Sequence, residues 1–181
     1  MVTQLSTKLP VLTLMDVAQT LALAWGTSRL AACNAKFLAD HLRTERQRGG
    51  RMRGLCQYSY KGYPGMGCAI GVALKPGLVD PAAGVIGSLI GYVLRGPRMD
   101  DLEAMTLLQR EHDKTCRAVL TAADGKQPNR FVRELPIGEA WPAFERTVNK
   151  TMEQCGLDAV KPFDYKGHVR QVRAIANGTV E

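Results

Sequence analysis

The stretch from Asp101 to Ala122 constrains the fold of this chain more than any other. Met105, Leu108, His112, Cys116 and Val119 recur at three- and four-residue intervals, so a helix places all five on one stripe. Asp100 with Glu103 reads as its capping box, and Asp124-Gly125 as its stop. Such a stripe must be covered by another apolar surface. The spacing predicts one nearby: a helix over about 139–155 stacks Trp141, Phe144, Val148, Met152 and Cys155, with Gly156 as its C-cap.

The N-terminal part reads as two more helices. Thr13, with Asp16 three residues on, caps the first, and Leu14, Val17, Leu21 and Ala24 repeat along it until Gly26. Thr27 or Ser28 caps a second over about 29–46, which turns Leu30, Cys33, Phe37 and Leu38 inward and ends at Gly49-Gly50. Residues 55–75 change character, with three tyrosines and many glycines. They read as a strand at Leu55–Tyr60, a glycine-rich turn at Lys61–Gly67, and then a return strand or the first turn of a helix at Cys68–Leu74. Pro81–Leu94 reads as a buried helix that Gly84, Gly87 and Gly91 leave open to close approach. It carries no charge but is too short to span a bilayer. A short strand is expected at Arg130–Leu135. The fold class is therefore mainly α (α+β): one compact helical domain over 1–160 with a small two-stranded β element near residues 55–70. Residues 161–181 read as a basic, partly disordered tail.

A chain of 181 residues, 45% of them hydrophobic, can bury a core without disulfides or metal. The five cysteines are odd in number and form no CxxC pair. Asp16 and Gln19 interrupt the apolar run after Lys8, so no signal peptide is expected there. Reduced thiols and an intracellular protein are the expectation. The net charge is +7 and uneven: residues 1–53 hold eight basic and three acidic side chains, whereas residues 135–181 hold six of each. Attraction for a polyanion should reside near the N-terminal third. GxxxxGK[ST], GxGxxG, GxSxG and HExxH are all missing, which removes support for the common nucleotide, hydrolase and metalloprotease chemistries. No cofactor is expected.

Three constellations carry chemistry. Cys68, His112 and Asp113 have the residue types of nucleophile, base and orienter. Against this, His112 and Asp113 are sequence neighbours whose side chains diverge by about 100° on a helix, and a buried Cys68 is more simply a small core residue. Cys56, Cys68, His112 and Cys116 could ligate zinc, since His112 and Cys116 share a helical face, but no knuckle spacing supports it. His112 is then a buried histidine bonded to Gln109, a backbone carbonyl or a tyrosine hydroxyl. Arg43, Arg46, Arg48, Arg51 and Arg53 lie within eleven residues; their forks suit phosphates and carboxylates. Tyr58, Tyr60 and Tyr63 either join them as a partner surface or form the outer wall of the core.

Cys56-x-Tyr58, Cys68-Ala-Ile-Gly71, Leu108-Gln109-x-x-His112-Asp113 and Trp141-x-x-Phe144, ending in Gly156-Leu157, together resemble a loosely defined family of small uncharacterised tailed-phage and prophage proteins. The resemblance covers about residues 55–158 and nominates Cys56, Cys68, Gln109, His112, Asp113 and Trp141 as shared positions, expected here as one buried polar network. The stretch Gly77–Arg98 and the extra basic residues depart from the pattern. The resemblance implies an accessory protein in the cytoplasm of a bacterial host. It would act without catalysis on a host or defence protein or a nucleoprotein complex, with nucleic acid as a possible target and no membrane.

Overall fold

The computed structural model describes residues 12–50, 55, 57–74, 99–129 and 133–179. Cys56, Arg51, Arg53 and the expected helix at Pro81–Leu94 lie outside them. Among the described residues are five α-helices: α1 (Leu14–Ala24), α2 (Ala35–Arg48), α3 (Met99–Ala123), α4 (Ile137–Gln154) and α5 (Tyr165–Ala176). Short 3₁₀ turns lie at Ala31–Cys33 and Gly71–Ala73. None of these helices is long and apolar enough to cross a membrane.

Thr13 and Asp16 close the expected capping box on α1, each side chain accepting the other residue's backbone N–H. The second helix starts later than the spacing predicts. Asn34, not Thr27 or Ser28, is its N-cap and accepts the Phe37 N–H at 2.9 Å. Residues 27–34 are spent instead on a turn that enters the core. The long helix begins at Met99, so Asp100 lies inside its first turn rather than at its cap. There its carboxylate still complements the positive end of the helix.

α3 and α4 are antiparallel neighbours. The Thr115 hydroxyl reaches the Ala140 carbonyl at one end of the pair, and Cys155 lies beside Asp101 at the other. Their facing stripes supply Met105, Leu108, Trp141 and Phe144, all fully buried. Gly156 ends α4 at φ +66°, where Leu157 N–H returns to the Met152 carbonyl and Gly156 N–H to Glu153.

Two expectations are corrected. No strand occurs among the described residues of 55–74 or of 130–135; only isolated bridges join Leu30 to Gly67 and Tyr60 to Tyr63. The segment is an irregular loop held across chain. Gly67 exchanges backbone bonds with Arg29 and Ala31, and Cys68 N–H donates to the Gln57 carbonyl. Its glycines serve close approach rather than a hairpin turn. A Cβ on Gly71 would sit 2.2 Å from the Tyr58 carbonyl oxygen, so the chain can pass Tyr58 only as glycine. The second correction concerns residues 161–181. Within them Tyr165–Ala176 forms α5, capped by Asp164 and packed on α2 and α3 through His168, Val169, Val172 and Ala176. The density of lysine and arginine hides that stripe in the sequence.

Candidate functional site

Two assemblies hold the residues with chemical potential, one sealed and one open. The sealed one centres on Ala32, in the 3₁₀ turn between α1 and α2. A turn buried in the core brings polar backbone with it, and that backbone must be paired. Both groups of Ala32 are paired by imidazoles. Its N–H donates to His112 Nε2 of α3 at 3.3 Å, and its carbonyl accepts from His168 Nε2 of α5 at 2.9 Å. These bonds set the tautomers: His112 presents a lone pair at Nε2 and so carries its proton on Nδ1, whereas His168 is protonated on Nε2.

Three thiols lie around this pair. Cys116 Sγ is 3.7 Å from His112 Nε2, one helical turn along the same stripe. Cys68 Sγ accepts the Gly71 N–H at 3.3 Å and so closes the turn that follows it. Burial, reinforced by Cys116 against a bond from Gly26, pushes the Cys33 thiol up to about 12. None of the described cysteines is in a disulfide.

Asp113 Oδ1 lies 3.4 Å from His112 Nδ1, which corrects the expectation that adjacent helical positions keep them apart. The two Cβ atoms diverge, but the Asp113 side chain, 41% exposed, folds back along the helix to reach the ring. On His112 burial opposes charge, whereas Cys116, the Asp113 carboxylate and Cys68 favour it, and the net pull is upward.

His168 has no such support. Burial lowers it to about 4 against the bond to Ala32, so it is neutral. It is a site residue the sequence reading overlooked; its signal was its place on the Val169, Val172 and Ala176 stripe.

Gln109 does not meet His112. Its amide donates to the Tyr58 hydroxyl at 3.2 Å. Trp141 is fully buried, stacked on Phe163 at 4.7 Å, and its Nε1 has no hydrogen-bond partner among the described residues. Among the described residues the members of the expected network make these local pairs, and Cys56 lies outside the described residues. Cys68 and His112 are both fully buried, and neither borders the two surface clefts described below. Among the described residues no group of three or more His, Cys, Asp or Glu is arranged to hold a metal ion.

The tyrosines expected on a partner surface belong mostly to the interior. Tyr58 and Tyr60 are buried, and Tyr60 donates to the Leu55 carbonyl at 2.6 Å. Tyr63 packs edge-on against Phe37 and donates to Asp40 at 2.5 Å; burial and that bond raise its pKa.

The open assembly lies where α2, α3 and α5 end. All three present their C-terminal carbonyls at the same end of the molecule. Arginines from one helix satisfy the carbonyls of another, as the dipoles require. Arg43 of α2 donates to the Ile175 and Ala176 carbonyls of α5. Arg173 of α5 donates to Ala122 and Ala123 of α3 at 2.7 and 3.0 Å. Arg46 binds Asp124 at 2.7 Å and Asn177 at 2.9 Å. Arg43, half-buried, and Arg46, exposed, therefore tie helix ends together as well as adding positive charge to this face. Arg48, in the last turn of α2, is exposed.

Beside these ends, α2 and α3 enclose a cleft of about 400 Å³. Leu42 and Leu120 are among the residues lining it, with Gly49 and Gly50 on the α2 side. Arg46, Arg117 and Lys126 supply three cations against Glu45 and Asp124. Arg117 reaches both oxygens of Glu45, at 2.8 and 3.0 Å. Burial works against the Asp124 charge, but Lys126 and Arg46 outweigh it and hold this carboxylate below its usual range. A second cleft, of about 240 Å³, lies between α3 and α4 and is lined by Asp100, Glu103, Thr147 and Lys150, among others.

Comparison of the chain with protein-family models, with curated proteins and with solved structures finds no match.

Proposed function

We propose that this chain is a phage-type accessory protein that works by binding, without catalysis, to an acidic surface of a host or defence macromolecule. One observation supports the reading above others. Two basic segments far apart in sequence, Arg43–Arg48 and Lys166–Arg173, lie on helices packed side by side. α2 and α5 together carry seven Lys and Arg against two Asp and Glu, so most of the net charge of +7 sits on this one pair. A local excess of this kind steers an acidic partner and fades with salt. The seal over Cys68 and His112 favours binding over covalent chemistry.

The test must spare the arginines that serve the fold. Arg48, Lys166 and Arg170 are exposed and make no ion pair among the described residues. The triple variant Arg48→Glu, Lys166→Glu, Arg170→Glu should keep the wild-type Tm and lose salt-sensitive capture of partners from a bacterial lysate. Capture that is equal in wild type and variant at low salt would remove the reading.

A further inference from the structure

We propose that the cleft between the C-terminal ends of α2 and α3 anchors that basic face, and that it takes the carboxylate of an Asp or Glu side chain presented by an acidic peptide segment of the partner. The inference rests on the docking reading above and narrows it to a protein partner.

Charge sets the sign of the occupant. Arg46, Arg117 and Lys126 arrive from α2, α3 and the loop after α3, and outnumber Glu45 and Asp124. Lys126 is the one available for exchange, and Arg46 lines the cleft beside it. Lys126 lies 2.5 Å from Asp124 with its side chain 74% exposed, and Arg46 is 35% exposed on the same carboxylate. Asp124 thus holds two cations on one side chain, and an incoming carboxylate can take Lys126 while Arg46 stays on Asp124 and Asn177. Arg117 remains on Glu45, so no internal cation is stranded.

The surroundings choose between a peptide and a nucleic acid backbone. Helix C-termini carry partial negative charge, and α2 and α3 both end at the cleft, with α5 beside them. A phosphodiester chain would lay a continuous row of negative charge across those carbonyl ends. A peptide brings a neutral backbone and one charge at a time. Leu42 and Leu120 offer apolar surface to the methylenes of a glutamate, and Gly49-Gly50 leaves the rim without side chains over which a main chain can lie. Among the described residues nothing stands within 4 Å of where a Cβ on either glycine would point.

Fluorescence anisotropy of a fluorescein-labelled hexaglutamate peptide tests this, with a labelled short DNA duplex as the competing probe. Wild-type protein should bind the peptide, and Lys126→Glu should weaken it roughly tenfold, the scale of one lost charge-assisted contact. Arg46→Gln should weaken it less, with folding checked by circular dichroism. Lys150→Glu, in the cleft between α3 and α4, is the control and should leave binding unchanged. If Lys126→Glu and Arg46→Gln weaken the peptide no more than Lys150→Glu does, the anchor is overturned; the docking reading stands if Arg48→Glu, Lys166→Glu, Arg170→Glu still abolishes binding. Duplex binding without peptide binding would overturn the protein partner and keep the acidic-surface reading. Binding of neither probe would overturn both.

Discussion

The Ala32 centre and the convergent helix ends use strong polar groups for the same elementary task, pairing backbone that the helices leave unpaired, yet they differ in surroundings. At Ala32 two imidazoles serve one peptide inside a closed core, and their chemistry is consumed by the fold. At the helix ends, Arg43 and Arg173 cap carbonyls, while neighbouring cations line a cleft open to solvent. Residue type is therefore a poor guide to role. A histidine beside a cysteine and an aspartate pairs buried backbone here, and an arginine run divides into residues that cap helix ends and residues that face outward.

The contrast can be broken by substitution. The largest effect is expected at His112→Ala, which orphans the Ala32 N–H and opens a cavity; urea unfolding should show a loss of about 3–5 kcal/mol. A loss below about 1 kcal/mol would mean that the centre is not structural. Acid should act on the same centre through His168. The unfolded imidazole takes its proton near 6.5 but the folded one only near 4, so the unfolded chain binds more protons across that window. Stability contributed by the neutral ring is present above pH 6.5 and lost as pH falls toward 4, by roughly 3 kcal/mol. His168→Gln, which keeps a donor for the Ala32 carbonyl, should flatten that part of the profile; identical slopes in both proteins would refute the assignment.

Gly71→Ala should cost at least about 2 kcal/mol, because the new methyl meets Tyr58 backbone and not a yielding side chain. A wild-type Tm would show that the passage at Tyr58 has slack. At the open end the effects shrink. Arg173→Gln should cost about 1 kcal/mol from lost bonds to the Ala122 and Ala123 carbonyls. Arg48→Gln should stay within about 0.5 kcal/mol in the same unfolding assay. A reversed order of these two would dissolve the division between holding and outward-facing arginines.

Local physics was legible in the sequence. The Thr13–Asp16 box, the stripes of α3 and α4, and the stop at Gly156 depend on residues within a turn or two of each other, and periodicity reports them. What escaped is held at long range. His112 is visible as a stripe position, but its acceptor role depends on Ala32, 80 residues away. The glycines of 61–71 read as turn formers because a close approach to Tyr58 leaves no mark on the spacing. α5 was concealed by charge, since Lys166, Arg170 and Arg173 outweigh a buried stripe of only four residues, His168, Val169, Val172 and Ala176. The cleft needed Arg117 and Lys126, which the arginine cluster near Gly49 did not signal.

The place of α5 also sets an order of events during synthesis. The Trp25 indole, the Ala32 carbonyl and the Arg43 guanidinium all find their partners 132 to 136 positions later, on Lys161, His168 and Ile175. A nascent chain emerging from the ribosome can wind its first helices and pack them on α3 and α4, but these three contacts wait until residues 161–175 leave the exit tunnel. A ribosome stalled before codon 161 would therefore hold a chain in which these three groups are still unpaired and the face that α5 covers is still on offer to chaperones and proteases.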